Sequence, residues 1–188
     1  MTADQYDIVI VGGGTAGAFA AATAADDGLD VVILERKPEE RAGEIACGDA
    51  IKGKSMFPDV IDLEYLREES FTNEGITRAM FENPRTGEQI SYPFGEYTGA
   101  VVDRKRYGEV LLEEAERAGA EVHYDTVVQN VVQNNGQVEG VTATRRGSVT
   151  TYRAPVTIDA AGALSILQDK ADLGSATFDT NVNYSQFC

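Results

Sequence analysis

Residues 6–37 read Tyr-Asp-Ile-Val-Ile-Val-Gly-Gly-Gly-Thr-Ala-Gly-Ala-Phe-Ala-Ala-Ala-Thr-Ala-Ala-Asp-Asp-Gly-Leu-Asp-Val-Val-Ile-Leu-Glu-Arg-Lys. The run 7–11 is apolar and β-branched, which predicts a buried strand of a parallel sheet. Gly12, Gly14 and Gly17 follow at once as G-x-G-x-x-G. Residues 16–25 are alanine-rich, with high helix propensity and little bulk. Residues 31–34 predict a second buried strand, and Glu35 closes it, twenty-one positions after Gly14.

This order suits a dinucleotide. Gly12 permits the tight turn from strand to helix, Gly14 lets a pyrophosphate approach the backbone, and Gly17 lets the helix lie close to the strand. The free N–H groups and dipole of the helix start then hold the phosphates. Glu35 accepts hydrogen bonds from ribose hydroxyls, and its charge repels a 2′-phosphate, which argues against an NADP-type ligand. The motif points to a dinucleotide without choosing between FAD and NAD.

At 188 residues the chain has room for one domain and a sizeable core. It carries 31 acidic and 16 basic residues, a formal net charge of −15. No basic stretch is present to meet nucleic acid or an anionic surface. Scattered acid with little lysine resembles proteins adapted to high salt, where screening relieves self-repulsion; an ordinary acidic cytosolic protein is the alternative. Cys47 and Cys188 are the only cysteines, which excludes a disulfide framework and fits a reducing cytoplasm. The first apolar run lacks a basic leader region and is cut by glycines, so it is no signal peptide. No segment is long and apolar enough to span a bilayer, although a membrane-associated substrate remains open.

Further along, residues 36–54 are charged and glycine-rich, too polar for a core strand. Gly43, Gly48 and Gly53 there suggest a backbone wrapped closely against something. Within this segment Cys47 has two readings, a thiol beside a bound ligand that donates a proton or lines a channel, and a small packing residue. Residues 55–69 predict one helix; 76–82 and 89–92 predict a hairpin around Asn83-Pro84-Arg85-Thr86-Gly87. Tyr92, Phe94 and Tyr97 read as hairpin packing, with a ligand-facing cluster as the alternative. Residues 99–102 predict a strand. Asp103 is the expected N-cap of a helix whose buried stripe is Tyr107, Val110, Leu111, Leu112 and Ala115, and Gly119 its stop. Arg104 at that helix start opposes the dipole, so either an anion lies nearby or the arginine is solvated beside Lys105 and Arg106.

Residues 120–124 predict a third parallel strand in which His123, the only histidine, is structural. From Thr126 apolar and polar residues alternate through turns at Asn134-Asn135-Gly136 and Arg145-Arg146-Gly147, which predicts a three-stranded antiparallel meander. Residues 154–158 return as a strand, and Asp159-Ala160-Ala161-Gly162 follows, small and tight like backbone against a ligand.

The order βαβ with G-x-G-x-x-G and Glu35, an insertion ending in Val102-Asp103-Arg104, a helix, a strand, a meander and Asp159-Ala160-Ala161-Gly162-x-x-Ser165 resembles the N-terminal part of FAD-dependent oxidoreductases. Cys47-Gly48 after the Glu35-Arg36-Lys37 strand end is similar to the geranylgeranyl reductase family, notably archaeal digeranylgeranylglycerophospholipid reductases. The resemblance implies an α/β, Rossmann-like FAD-binding domain of the glutathione-reductase/aromatic-hydroxylase type with a three-stranded antiparallel β-meander crossover, covering residues 1–188. Residues 70–100 would be a partial β insertion belonging to the substrate side.

The resemblance also implies roles. Gly12, Gly14, Thr15, Ala16 and Gly17 would hold the pyrophosphate, Glu35 the adenosine ribose, and Arg36 would lie beside the adenosine. Arg104 would lie near the phosphate or ribityl region, and Val128 would meet adenine through its backbone. Asp159, Ala161 and Gly162 would close over the adenosine side, with Cys47 and Gly48 near the isoalloxazine and Cys47 the candidate catalytic residue. The expected activity is reduction of isoprenoid double bonds by FAD. An electron donor such as ferredoxin or NAD(P)H would serve it, on an isoprenoid lipid met by a cytoplasmic protein touching the membrane periphery. No nucleic acid is expected. An FAD-dependent monooxygenase, a quinone-linked flavoprotein and an inactive FAD-binding fragment are the alternatives. Family members are about twice this length and carry a later Gly-Asp motif and a tryptophan-containing motif; this chain has neither after residue 162, so it reads as C-terminally truncated.

Overall fold

The structure is a computed structural model that describes residues 3–44, 49–52, 57–95, 98–162 and 166–171. In chain order its elements begin with β1 (Ala3–Gln5), β2 (Ile8–Val11), α1 (Thr15–Asp26), β3 (Val31–Leu34) and a 3₁₀ turn at Glu39–Arg41. Next come β4 (Ala50–Lys52), α2 (Leu63–Ser70), β5 (Phe71–Ile76), β6 (Arg78–Glu82), β7 (Gln89–Pro93) and β8 (Gly99–Val102). The chain continues through α3 (Arg104–Arg117), β9 (Glu121–His123), β10 (Thr126–Asn134), β11 (Gln137–Arg145), β12 (Ser148–Arg153), β13 (Val156–Asp159) and α4 (Ile166–Lys170).

The centre is a parallel sheet in the order β13-β2-β3-β9. Because strand side chains alternate, its two faces bury different partners. Ile10, Val31 and Ile33 pack against Ala18, Ala21 and Ala22 of α1 and Val110 and Leu111 of α3. Val9, Val11, Val32 and Leu34 pack against Val128, Val141, Ala143 and Tyr152 of the meander β10-β11-β12. The result is three layers: helices, parallel sheet, antiparallel sheet. The meander turns fall where the glycines place them, with Asn135 at φ 50° and Gly136 at φ 80°.

The alanines of α1 let that helix approach its neighbours closely. Glycine does the same for α3. A Cβ on Gly108 would lie 2.8 Å from the Gly43 Cα, so the segment after the 3₁₀ turn crosses α3 at a glycine pair. Asp103 caps α3 by accepting from the Arg106 N–H at 3.1 Å, and the chain leaves the helix through Gly119 at φ +112°.

Four features differ from the sequence reading. β1 adds a fourth strand to the meander, parallel to β12; its polar residues carry no periodicity, and pairing alone makes it a strand. β4 forms inside the polar segment after Glu35 and pairs with β8. Residues 76–82 are the end of β5 and the whole of β6 rather than one strand, and the sheet β4-β8-β5 stands apart from the hairpin β6–β7. α2 begins at Leu63 rather than near residue 55, because Pro58 to Ile61 closes a turn and Asp62 caps the helix through the Tyr65 N–H. The hairpin pairs Ala79 with Tyr92 and Phe81 with Ile90 on one face. Phe81, Ile90 and Tyr92 are 65, 70 and 67 % exposed, so in this chain they are not packed against the domain. Tyr97 lies outside the described residues. No helix among the described residues is long and apolar enough to cross a membrane.

Two polar contacts tie neighbouring elements. Glu114 of α3 is buried, accepts from the Asp62 N–H at 2.6 Å and pairs with Arg117. Glu114→Gln keeps an acceptor for Asp62 but removes a charge whose partner is largely exposed, so we expect a loss of about 1 kcal/mol in urea unfolding. Glu114→Ala, which strands the Asp62 N–H, is expected to cost more.

His123 holds the meander to β9: one ring nitrogen meets the Tyr152 hydroxyl at 3.1 Å and the other Glu121 at 3.1 Å. Burial, then Arg145, lowers its pKa and outweighs Glu121 and Asp4. A base with a depressed folded pKa takes up its proton first in the unfolded chain. Its contribution is therefore complete above about pH 6.5 and falls as the pH drops through that value. The expected result is an unfolding midpoint that declines below about pH 6.5 with a slope that His123→Gln reduces.

Candidate functional site

The carboxyl ends of β2, β3 and β13 converge on one rim of the parallel sheet, where ligands of open α/β sheets bind. A cavity of about 220 Å³ opens there. Its walls are the glycine turn (Gly12 and Gly14), the end of β3 (Glu35, Arg36 and Lys37), the start of β10 (Thr126, Val127 and Val128) and the loop after β13 (Ala160, Ala161 and Gly162).

Each glycine of the turn has a distinct reason to be glycine. Gly12 adopts φ +102°, and a Cβ on it would stand 2.6 Å from the Ala160 carbonyl oxygen. A Cβ on Gly17 would run into the Gly12 carbonyl oxygen. Gly14 has open space where its side chain would be. The first two positions are thus closed by protein and the third faces the opening. Gly14 also caps α1 without a side-chain bond, and no acid sits in the first turn. The N–H groups of Thr15, Ala16 and Gly17 therefore point outward with the positive end of the helix dipole.

Glu35 is 6 % exposed. One carboxylate oxygen accepts from the Gly13 N–H at 2.7 Å and the other from the Lys37 N–H at 2.9 Å. The side chain thus braces the glycine turn against the end of β3, a second duty that spacing alone did not reveal. A carboxylate has lone pairs left for two ribose hydroxyls after these two bonds. The Thr126 N–H donates to the Glu35 carbonyl at 2.8 Å, which brings Val127 and Val128 to the cavity wall.

Arg104 stands at the start of α3, and neither it nor Thr15 is among the residues that line the cavity. Its guanidinium reaches from the first turn of α3 to the first residue of α1, donating from Nη2 to Thr15 Oγ1 at 2.9 Å. The Nε is buried and has no hydrogen-bond partner. Among the described residues Arg104 forms no salt bridge, whereas Arg41, Arg67, Arg106, Arg117 and Arg153 each do. An unpaired cation between two helix starts, in a chain of charge −15, is suited to an anion.

Asp159 is placed differently from its neighbours. Its carboxylate accepts from the Ala161 N–H at 3.1 Å and the Leu167 N–H at 3.0 Å, so it shapes the loop while Ala161 and Gly162 line the cavity. Ala16 is exposed in the first turn of α1, outside the cavity wall. Lys37, Thr126, Val127 and Ala160 also line the cavity; Lys37 and Ala160 fall inside the segments Glu35-Arg36-Lys37 and Asp159-Ala160-Ala161-Gly162 without a role of their own there, and no motif singles out Thr126 or Val127. Cys47 and Gly48 lie outside the described residues. The described residues contain no cluster of His, Cys, Asp or Glu able to hold a metal ion.

A parallel sheet with a glycine turn, a braced acid at the end of its second strand and an antiparallel meander on its outer face defines a dinucleotide-binding domain of the Rossmann-like kind. The family model described as FAD dependent oxidoreductase matches residues 7–169, and the chain belongs to that family. FAD is accordingly the dinucleotide that this cradle takes.

Among curated proteins the chain is 32% identical over 160 residues to a digeranylgeranylglycerophospholipid reductase of Methanocella arvoryzae. It is 33% identical over 161 residues to the protein of that name from Methanosphaerula palustris. Each match covers 84% of this chain and 39% of the relative, so the chain spans well under half the length of these relatives. Among solved structures it is similar to a geranylgeranyl bacteriochlorophyll reductase-like protein from Thermoplasma acidophilum. That match has a TM-score of 0.75 and 26% identity over 95% of this chain and 44% of the other. The myxobacterial chondrochloren halogenase shares the fold, with a TM-score of 0.69 and 21% identity over 89% of this chain and 39% of the other.

Proposed function

We propose that this chain is the FAD-binding unit of a reductase that saturates carbon–carbon double bonds in the isoprenoid chains of archaeal-type membrane lipids. The observation that carries this reading is the identity of 32% over 160 residues to a protein named for that reduction. The site chemistry supports it. Gly12, Gly14, Thr15, Ala16 and Gly17 take the pyrophosphate on the start of α1. Glu35 takes the adenosine ribose, Arg36 flanks the adenosine, and Val128 offers its backbone to adenine. Arg104 answers a phosphate or ribityl oxygen. Ala161 and Gly162, in a loop held by Asp159, close the adenosine side.

Bound FAD supplies a two-electron reductant for an alkene that also takes up a proton. Cys47, beside Gly48, is proposed as the donor of that proton or as a wall of the substrate channel. Residues 70–100 are proposed to belong to the substrate side. In support, Ile51, Ile76, Tyr92, Phe94 and Val101 line an apolar hollow of about 780 Å³ there, a suitable surface for a hydrocarbon chain. The electron donor is proposed to be a ferredoxin or NAD(P)H, and the lipid to be met at the membrane periphery by a cytoplasmic protein.

The test is anaerobic incubation of FAD-loaded, dithionite-reduced protein with a geranylgeranyl lipid, read by mass spectrometry. Addition of one H₂ per double bond supports the reading. Oxygen-dependent hydroxylation of an aromatic compound in a parallel aerobic incubation would instead make the protein a monooxygenase. Unchanged lipid in the presence of tightly bound FAD would leave a binding unit without activity of its own.

Salt adaptation is also proposed. Glu39, Glu109, Glu113 and Glu116 crowd one hollow beside Tyr124. Burial, then Glu39 and Glu113, raises the Glu116 pKa, a sign of like-charge repulsion. The unfolding midpoint is expected to rise from low to molar potassium chloride as this repulsion is screened; a flat response would assign the acidic surface no such role.

A further inference from the structure

Tyr107 lies three residues beyond Arg104, on the same face of α3, and its ring is 3 % exposed within the helical core. The Arg104 guanidinium carbon stands 4.8 Å from the centre of that ring. This is cation–π distance, in a site where desolvation strengthens the attraction. Two of the Arg104 nitrogens are accounted for: Nη2 binds Thr15 Oγ1 at 2.9 Å, and the buried Nε has no hydrogen-bond partner.

A long arginine side chain carries much rotamer entropy, which an anion would otherwise have to overcome on binding. The core fixes the Tyr107 ring, and the ring fixes the arginine. Thr15 alone would not suffice, because one hydrogen bond leaves the guanidinium free to turn about it. We infer that Tyr107 is a positioning residue for FAD: its ring holds the Arg104 guanidinium in place for the phosphates at the paired starts of α1 and α3. The inference rests on the reading that Arg104 contacts FAD. It assigns the effect to the ring. The Tyr107 hydroxyl also interacts with Arg104, which opposes the upward push of burial on its pKa, and the Tyr107→Phe variant separates the two.

The experiment is a double-mutant cycle on FAD affinity, measured by quenching of FAD fluorescence in the whole chain, with thermal unfolding of each FAD-free variant recorded alongside. Tyr107→Met keeps apolar bulk without a ring face, and Tyr107→Leu is the second variant should the first not fold. Either is expected to weaken FAD binding about threefold to tenfold when Arg104 is present, and by less than about twofold in the Arg104→Leu background. Tyr107→Phe is expected to bind within about twofold of the parent.

Equal losses in both backgrounds would make Tyr107 a core filler and overturn the inference while leaving the role of Arg104 intact. A Tyr107→Phe variant as weak as Tyr107→Met would transfer the effect to the hydroxyl and also overturn it. Parental affinity in Arg104→Leu would overturn the inference together with the reading beneath it.

Discussion

Gly17→Ala is expected to abolish FAD retention through desalting and to destabilise the chain by about 2–3 kcal/mol, a fall in Tm of about 4–12 °C. Propensity alone argues the other way, since alanine is better than glycine inside a helix by about 1 kcal/mol. The sign of the result therefore reads the packing directly. A Cβ at this position runs into the Gly12 carbonyl oxygen, with the Gly12 carbonyl carbon and the Ala160 Cβ behind it. None of these is the movable end of a long side chain, so α1 must shift away from β2. That shift carries the free N–H groups of Thr15 and Ala16 off the phosphate position, and binding is lost with stability. Gly14→Ala is the control, because its Cβ meets open space in the protein alone. It should leave stability nearly unchanged and weaken FAD. Stability in Gly17→Ala equal to that of the parent would mean that α1 does not pack on β2 as described.

Arg104→Leu is expected to weaken FAD binding about tenfold to one-hundredfold, the loss of one or two hydrogen bonds from a charged donor to an anion. The stability of the FAD-free chain should barely change. Among the described residues its buried Nε has no partner and its charge no carboxylate, so the free protein loses one bond to Thr15 and the contact with the Tyr107 ring while it is relieved of an unpaired cation. This separation of affinity from stability distinguishes a binding arginine from a structural one. Arg106, which pairs with Glu69 at 2.6 Å and Glu113 at 2.6 Å, should behave in the opposite way.

Much of this was legible in the sequence where local signals and burial agree. β2, α1 and β3 follow from an apolar run, three glycines, an alanine run and a second apolar run. The meander follows from alternation between two glycine turns. Asp103 was legible as a cap and Gly119 as a stop because both act within a few residues of their own position. The missed strands share a cause: distant partners supply the order. β1 and β5 are polar segments, Ala-Asp-Gln and Phe-Thr-Asn-Glu-Gly-Ile, that become strands only by pairing with β12 and β8.

The site divides in the same way. Gly12, Gly14, Gly17 and Glu35 announce themselves by spacing. The tie from Glu35 to the Gly13 N–H, the reach of Arg104 to Thr15 and the ring of Tyr107 beneath it join residues brought together by folding. In the sequence Tyr107 is one apolar position in a helical stripe, and nothing marks it apart from Val110 or Leu111.

The central claim is that this chain holds the adenosine diphosphate half of FAD in the cradle between the glycine turn, Glu35 and Arg104. The most direct measurement is visible absorption of the folded chain after incubation with FAD and desalting, repeated with ADP or FMN as competitor. The account predicts retained, shifted bands near about 370 and 450 nm, as expected of bound oxidised flavin. It also predicts that ADP displaces FAD and FMN does not. A folded chain that emerges colourless, or one from which FMN displaces FAD and ADP does not, would contradict it.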